Sequence, residues 1–201
     1  MERIGMLVFM NTWFQHNARR IDKARLLLAP AVRNMSGCWA DLGCGDGVFT
    51  YLLFDLLQSD SVVYGVDERK SALQRLRQNL AEYVPADRLH LVQADFIHPL
   101  SLPPLQGMVL ANSLHFVRHK APILRQLVDL LEPGGRIVVI EYNTNRGNTA
   151  VPYPLDEIEF LNLAREAGLQ QPQIVTKVPS SFLGEMYAGM ASKNGDIQDG
   201  P

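Results

Sequence analysis

The spacing of apolar positions changes from segment to segment along the chain and predicts the order of its elements. The spacing of apolar residues predicts helices at 21–32, 68–83 and 120–131, and a strongly apolar segment predicts another helix at 48–58. Short apolar runs predict buried strands at 37–43, 61–67, 88–95, 107–113 and 136–143, the last of which is rich in β-branched residues. Residues 133–135, Pro-Gly-Gly, predict a turn before the last of these strands.

The alternation of strand and helix predicts the fold class. Strands with continuous apolar runs, separated by helices, indicate a mostly parallel sheet with helices on both faces, a doubly wound, Rossmann-like α/β fold. A further helix is predicted at 155–168, and two consecutive strands at 171–178 and 182–192 predict an antiparallel pair at one sheet edge. We expect one domain at 20–192, an N-terminal arm or cap at 1–19 and a flexible tail at 193–201.

Composition and charge narrow the function classes. The chain has 201 residues, of which 47% are hydrophobic, enough for the core of one domain. A net charge of −2 gives no general attraction for nucleic acid or an anionic membrane. The two cysteines indicate neither a disulfide framework nor a zinc site, and we expect a cytoplasmic protein without a bound metal. The apolar run near the start is too short to span a membrane and resembles no export signal.

A glycine-rich segment, ADLGCGDG, follows the first predicted strand. Gly43, Gly45 and Gly47 let a ligand lie against bare backbone. The dinucleotide pattern G-x-G-x-x-G fails here, because its third glycine would fall on Val48. Asp41 precedes the turn, and a carboxylate suits a cationic group better than a phosphate, although Asp41 could also cap the turn.

Two more acidic residues lie at the ends of the next strands. Asp67 ends the second strand, with Glu68 beside it, where a carboxylate can accept hydrogen bonds from both ribose hydroxyls. Asp95 ends the third strand and could accept a bond from an adenine amine, with Phe96 packing near the base. Asp67 could instead be a solvated strand end. A cation, a ribose and an adenine together describe S-adenosylmethionine.

With these segments in this order, the sequence resembles the class I S-adenosylmethionine-dependent methyltransferases over about residues 20–192. The resemblance implies a seven-stranded sheet of order 3-2-1-4-5-7-6 with the last strand antiparallel. It places the loop 41–47, which includes Cys44, under the methionine moiety, Asp67 on the ribose, and Asp95 with Phe96 at the adenine edge. It also places Asn112 and the segment to Val117 near the methionyl group. Cys44 lacks a sequence pattern for a nucleophile's partners, and its small size explains it.

Methyl transfer needs a general base only if the acceptor arrives protonated. His115 lies near the fourth strand end and could take a proton, or it could serve in packing and hydrogen bonding. Glu141 could deprotonate or steer a substrate, or it could be a buried hydrogen-bonding residue. Similar families that methylate nitrogen atoms of nucleobases or protein side chains commonly carry an Asn-Pro-Pro-Tyr type segment at the end of the fourth strand. The segment from Asn112 to His115 departs from that pattern, which argues against methylation of DNA adenine or protein glutamine.

The loop after the fifth strand is the candidate acceptor pocket. It carries Tyr142, Asn143 and Arg146, of which Arg146 could hold an anionic acceptor or be a solvated loop residue. We see no inserted domain for docking a macromolecule, so the sequence favours a small-molecule acceptor over RNA or protein. The basic clusters lack interleaved aromatic residues, which argues against nucleic acid. We expect a monomer or homodimer.

Other functions fit part of the pattern. A protein that binds S-adenosylmethionine without turnover would keep the same pocket. A nicotinamide-dependent oxidoreductase is disfavoured by Val48 and Asp41. Use of the same pocket for an altered form of the cofactor is a further alternative.

Overall fold

The computed structural model describes residues 12–195. Their elements, in chain order, are α1 (Thr12–Val32), β1 (Cys38–Leu42), α2 (Val48–Leu56), β2 (Val62–Asp67), α3 (Lys70–Leu80), β3 (Leu89–Gln93), β4 (Leu105–Ala111), α4 (Lys120–Asp129), β5 (Leu131–Tyr142), α5 (Glu157–Glu166), β6 (Gln170–Ser180) and β7 (Gly184–Ser192). A short 3-10 helix, Leu114–Phe116, follows β4. No helix within 12–195 is long and apolar enough to cross a membrane.

The strands form one sheet of order β3-β2-β1-β4-β5-β7-β6. The first five strands pair in parallel, and β7 runs antiparallel to both of its neighbours. This confirms the predicted fold class and strand order. Because β1 has β2 on one side and β4 on the other, the chain leaves the middle of the sheet in opposite directions, which creates a switch point between β1 and β4.

Helices cover both faces of the sheet, as predicted, because alternate residues of the central strands point to opposite sides. In β5, Val138 and Ile140 pack in the same cluster as α1 and α2, whereas Ile137 and Val139 pack with α4 and α5. At Gly107 a Cβ would lie 2.5 Å from the ring of buried Trp39, so this glycine makes room for the indole.

Helix α1 begins earlier than the apolar spacing predicts. Its start is at Thr12 rather than Ile21, and its first turns pack through Phe14, whose ring centroid lies 4.7 Å from that of Tyr51 on α2. Residues 12–19 of the predicted arm are therefore helical, whereas 1–11 lie outside the described residues, and a capping role stays a prediction. Of the predicted tail, 196–201 also lie outside the described residues.

The Pro-Gly-Gly segment is part of β5 and does not form the predicted turn between elements. The pairing of β4 with β5 shifts between Leu105 and Gly107, which places a bulge at this point. Gly134 has φ +77°, and a Cβ on Gly135 would lie 2.9 Å from the Leu105 carbonyl oxygen. One residue of β4 lies opposite four residues of β5 here, so the glycines let β5 continue past three extra residues without leaving the sheet.

Candidate functional site

A cleft opens where the carboxyl ends of the parallel strands meet, beside the switch point between β1 and β4. Its volume is about 390 Å³, in the range of small-molecule sites. Ligands of doubly wound sheets bind at this position. The cleft is lined by Gly43, Asp67, Glu68, Arg69, Ala94, Asp95, Phe96, Ile97, Asn112, Ser113, Phe116 and Val117.

Several backbone N–H groups of the glycine loop after β1 donate hydrogen bonds to other parts of the protein. The N–H groups of Gly43 and Cys44 both donate to the Val66 carbonyl oxygen, at 2.8 and 3.0 Å. That of Gly45 donates to Asp67 Oδ2 at 3.0 Å. A phosphate-binding loop points such groups at its ligand. These three amides are not available to a phosphate, so the loop geometry disfavours a dinucleotide.

Gly43 lies where the β1 loop meets the segment after β4. Its φ is +80°, and a Cβ there would lie 2.7 Å from Ser113 Cβ, closer than real Cβ contacts allow. Ser113 is held in place because its hydroxyl donates to the Leu42 carbonyl oxygen at 2.9 Å. The floor of the cleft is therefore bare backbone, and a glycine is required at position 43.

Three other predicted loop residues do not line this cleft. The Cys44 side chain is buried in a cluster with Leu76, and burial, reinforced by the charges of Asp41 and Asp67, raises the pKa of its thiol. A nucleophilic role is therefore disfavoured. Gly45 and Gly47 also lie away from the lining, and they shape the turn that leads into α2.

Asp41 lies behind the loop rather than in the cleft. Its side chain is 1% exposed, and Oδ2 accepts a hydrogen bond from the Thr50 hydroxyl at 2.7 Å. Burial raises the pKa of this carboxyl to about 7, against the opposing effect of the Thr50 hydrogen bonds. A cation bound nearby would favour its ionised form. The predicted role toward a cationic group is therefore electrostatic, through the loop, rather than a contact in this cleft.

Asp67 lies at the carboxyl end of β2 and faces the cleft, where its negative charge is paired with the Arg69 guanidinium. Oδ1 accepts hydrogen bonds from the backbone N–H and Nε of Arg69, at 2.9 and 3.2 Å. Burial alone would raise the pKa of Asp67, but the hydrogen bonds from Arg69 and Gly45 outweigh it and hold the pKa below its usual value. The carboxylate is thus ionised at neutral pH.

The opposite wall of the cleft follows β3. Asp95 Oδ1 accepts a hydrogen bond from the backbone N–H of Ile97 at 3.1 Å, which leaves Oδ2 for a ligand. Phe96 and exposed Glu68 line the same space, and Phe96 Cε1 lies 3.8 Å from the position of a Cβ on Gly43. The residues predicted for a nucleoside are therefore brought together around one cavity.

Asn112, directly after β4, is strained and incompletely bonded. Its φ of +52° is unusual for a residue other than glycine. Its backbone N–H donates to the Ile140 carbonyl oxygen at 2.9 Å, but its buried Oδ1 has no hydrogen-bond partner in the part of the chain that is described. A buried acceptor left without a donor is costly, and strain of this kind clusters at functional sites. Asn112 Oδ1 is therefore a candidate contact for a ligand N–H or O–H group.

His115 and Glu141, the two candidates for catalysis, form a buried pair. Glu141 Oε2 lies 2.6 Å from His115 Nδ1, and Oε1 accepts the backbone N–H groups of Leu114 and His115 at 3.1 and 3.2 Å. With Glu141 as a carboxylate, the tautomer that completes this hydrogen bond has its proton on Nδ1. The His115 side chain is only 4% exposed, and neither residue lines the cleft, although Phe116 next to them does. The pair is placed to fix the turn after β4, and a catalytic role stays a prediction.

Replacing Glu141 by alanine is expected to lower the free energy of unfolding by about 3 kcal/mol or more, because it leaves buried N–H groups of Leu114 and His115 unpaired. The free energy is measured by urea denaturation. Glu166→Ala is the matched control, since Glu166 pairs with Arg125 on the surface and its loss should cost less than about 1 kcal/mol. Equal effects of the two changes would contradict the assigned role of Glu141.

The three residues predicted for the acceptor pocket do not line this cleft. Tyr142 packs with Phe182 at a centroid distance of 5.5 Å. The Asn143 amide donates to Glu185 Oε1 at 2.8 Å and also to Glu157, so it ties β5 to β7 and α5 and is not free for a substrate. Arg146 is exposed on the loop after β5. Their contact with an acceptor stays a prediction.

Arg69 and Ser113 are functional candidates that the sequence reasoning missed. Arg69 covers the Asp67 carboxylate, and Ser113 fixes the distance between the two loops that form the floor. The sequence did contain a signal for Arg69, because this basic residue follows two positions after Asp67, the acidic residue that ends β2. Ser113 lies in the segment predicted near the methionyl group, but nothing in the sequence indicated its hydrogen bond to Leu42, because the two residues are 71 positions apart.

Known proteins are similar to this chain in sequence and in fold. The model of the methyltransferase-domain family matches residues 39–177, more than half of the chain. The carboxy-S-adenosyl-L-methionine synthase of Chromohalobacter salexigens is 33% identical over 105 residues, which cover 50% of this chain and 38% of that protein. The arsenite methyltransferase of Aquipseudomonas alcaligenes is 27% identical over 196 residues, covering 86% of this chain and 54% of that protein. The chain thus spans about half or less of these relatives.

A solved structure shows the same fold. Human N-acetylserotonin methyltransferase, in complex with S-adenosylmethionine, superimposes with a TM-score of 0.61 at 20% identity, covering 90% of this chain and 53% of that one. Together with the family match and the strand order, these findings identify the protein class. The chain belongs to the methyltransferase-domain family and has the fold of the class I S-adenosylmethionine-dependent methyltransferases.

Proposed function

We propose that the protein transfers the methyl group of S-adenosylmethionine to a small-molecule acceptor. The observation that carries the proposal is the cleft at the switch point, where Asp67, Asp95 and Asn112 converge beside a loop whose amides are largely satisfied. Such a cleft suits a nucleoside with a cationic tail better than one with phosphates. When bound, the cofactor supplies an already activated methyl group, so the protein's task is to hold the reactants and exclude water.

The nucleoside half of the site is assigned to the ends of β2 and β3. Asp67 accepts hydrogen bonds from the ribose hydroxyls, and Asp95 accepts one from the adenine amine through Oδ2. Phe96 packs near the base, with Glu68 at the rim. This assignment is supported by the ionised state of Asp67 and by the free oxygen of Asp95.

The methionine half is assigned to the loop after β1 and to Asn112. Gly43 gives the ligand access to the backbone, and Asn112 Oδ1 accepts a hydrogen bond from the ammonium group of the cofactor or from the acceptor. A cationic tail bound here would favour the ionised form of Asp41, which then adds a negative charge behind the loop. The buried, unpartnered oxygen of Asn112 supports this half of the assignment.

His115 and Glu141 are proposed to support the site by holding the turn that places Phe116 in the cleft wall. A base is needed only if the acceptor arrives protonated. The pH dependence of kcat in His115→Asn separates the two roles, since a positioning residue lowers the rate at all pH values and a base removes the ionisation from the profile.

A small-molecule acceptor is supported by the names of relatives, which include arsenite methyltransferase and trans-aconitate 2-methyltransferase. Tyr142 and Arg146 stay candidates for contacting the acceptor, and Asn143 is assigned to holding the edge of the pocket. We also propose a cytoplasmic location, on the basis of the two free cysteines. Monomer and homodimer both fit the proposal.

The proposal is tested by supplying S-adenosylmethionine labelled at its methyl group together with separate fractions of small molecules, RNA and protein. We expect label in the small-molecule fraction with the wild type and none with Asp67→Ala. Label in RNA or protein would overturn the choice of acceptor. Cofactor binding without transfer to any fraction would favour a binding protein without turnover.

A second candidate is modification of the cofactor itself, because one relative is a carboxy-S-adenosyl-L-methionine synthase. Mass spectrometry of the cofactor after incubation separates the two functions. Demethylated cofactor supports methyl transfer, whereas a cofactor of increased mass supports synthesis of a modified form.

A further inference from the structure

The hydrogen-bond capacity of Asp67 is filled by the protein. A carboxylate has about four acceptor positions. The backbone N–H of Gly45 takes one on Oδ2, and that of Arg69 takes one on Oδ1. The Arg69 guanidinium takes the other two, through Nε to Oδ1 at 3.2 Å and Nη2 to Oδ2 at 3.5 Å.

The two backbone bonds are fixed by the fold, whereas the guanidinium bonds are not. The Gly45 amide is part of the loop that shapes the cleft, and the Arg69 amide follows the end of β2 directly. The Arg69 side chain is 61% exposed, while Asp67 beneath it is 4% exposed. The guanidinium therefore forms a movable cover over a carboxylate that belongs to the cleft wall.

We infer that Arg69 competes with the cofactor for Asp67 and thereby sets the affinity of the site. The inference rests on the proposed contact of Asp67 with the ribose. Two ribose hydroxyls need the two acceptor positions that Nε and Nη2 occupy, so the guanidinium must leave before the cofactor is fully bound. The apparent affinity is then the intrinsic affinity multiplied by the fraction of molecules in which the cover is open.

The competition has a defined size and sign. The Arg69 side of the pair is largely exposed to solvent, which weakens its bonds to Asp67, so removing the guanidinium should tighten cofactor binding about two- to fivefold. Salt screens the pair between Arg69 and Asp67 but hardly affects hydrogen bonds to a neutral ribose. Wild-type affinity should therefore rise with salt concentration, which is opposite to the behaviour of a site that binds its ligand through charge attraction.

The test is calorimetric titration with S-adenosylhomocysteine, which carries no net charge, at about 0.05 M and about 0.5 M salt, a range over which the screening length falls severalfold. Three proteins are compared, the wild type, Arg69→Ala and Lys70→Ala. Lys70→Ala is the matched control, because it removes the neighbouring exposed charge, which is not among the contacts of Asp67. We expect Arg69→Ala to bind about two- to fivefold more tightly at low salt, with little dependence on salt, and Lys70→Ala to behave like the wild type.

Weaker binding by Arg69→Ala would show that the guanidinium contacts the cofactor, and it would overturn the inference. Equal affinity and an equal salt response in wild type and Arg69→Ala would also overturn it while leaving the proposed cofactor site intact. If no protein bound S-adenosylhomocysteine, the cofactor site itself would be wrong and the inference would fall with it.

Discussion

Replacing Asp67 by alanine is expected to weaken the binding of S-adenosylhomocysteine by about a hundredfold or more. Hydrogen bonds to a charged group contribute about 1.5–3 kcal/mol each, and the change removes both of those proposed for the ribose. The substitution also frees the Gly45 amide, which loosens the loop. Affinity is measured by calorimetric titration of both proteins under the same conditions.

Asp60→Ala provides the control for this change. Asp60 is exposed just before the opposite end of β2, so its replacement removes the same charge without touching the cleft. We expect wild-type affinity in Asp60→Ala. Unchanged affinity in Asp67→Ala, with a cooperative unfolding transition, would contradict the assignment of the ribose to Asp67.

Replacing Gly43 by alanine is expected to abolish measurable cofactor binding and to lower stability. The left-handed backbone at φ +80° costs about 1–2 kcal/mol for a residue with a Cβ. The added methyl group would also meet Ser113 Cβ at 2.7 Å, so the β1 loop and the β4 segment must move apart at the floor of the cleft. Titration measures the loss of binding, and urea denaturation measures the loss of stability.

Gly134→Ala separates these two causes. Gly134 has a similar φ of +77°, but no atom lies within 4 Å of the position of its Cβ. It should therefore show the backbone cost alone and keep wild-type affinity. If Gly43→Ala behaved like Gly134→Ala, the close contact with Ser113 would not be needed for the cleft.

Much of the fold could be predicted because each element has a local signature. The strands around Val138 and Val109 are buried on both faces and read as continuous apolar runs, which distinguishes them from the amphipathic helices between them. The start of α1 was predicted too late because its first turns are held by aromatic contacts with distant residues such as Tyr51. The segment at Gly134 was predicted as a turn because bulges and turns favour the same residue types, glycine above all.

For the candidate site, the positions of residues at the strand ends could be predicted, but the directions of their side chains could not. Asp67 and Asp95 could be placed because the ends of parallel strands meet at one edge whatever their side chains contact. The direction of a side chain depends on partners far along the chain, and these are not visible in the sequence. The Asn143 amide is drawn toward Glu185 on β7, and Asp41 is drawn behind the loop by Thr50 on α2.

The measurement that tests the cofactor site most directly is titration of the purified protein with S-adenosylhomocysteine, repeated with NAD as the competing ligand. The internally bonded loop amides and the free acceptors on Asp95 and Asn112 predict saturable binding of S-adenosylhomocysteine, with no displacement by NAD. Binding of NAD, or displacement of S-adenosylhomocysteine by it, would contradict the assignment of the cleft to a nucleoside with a cationic tail.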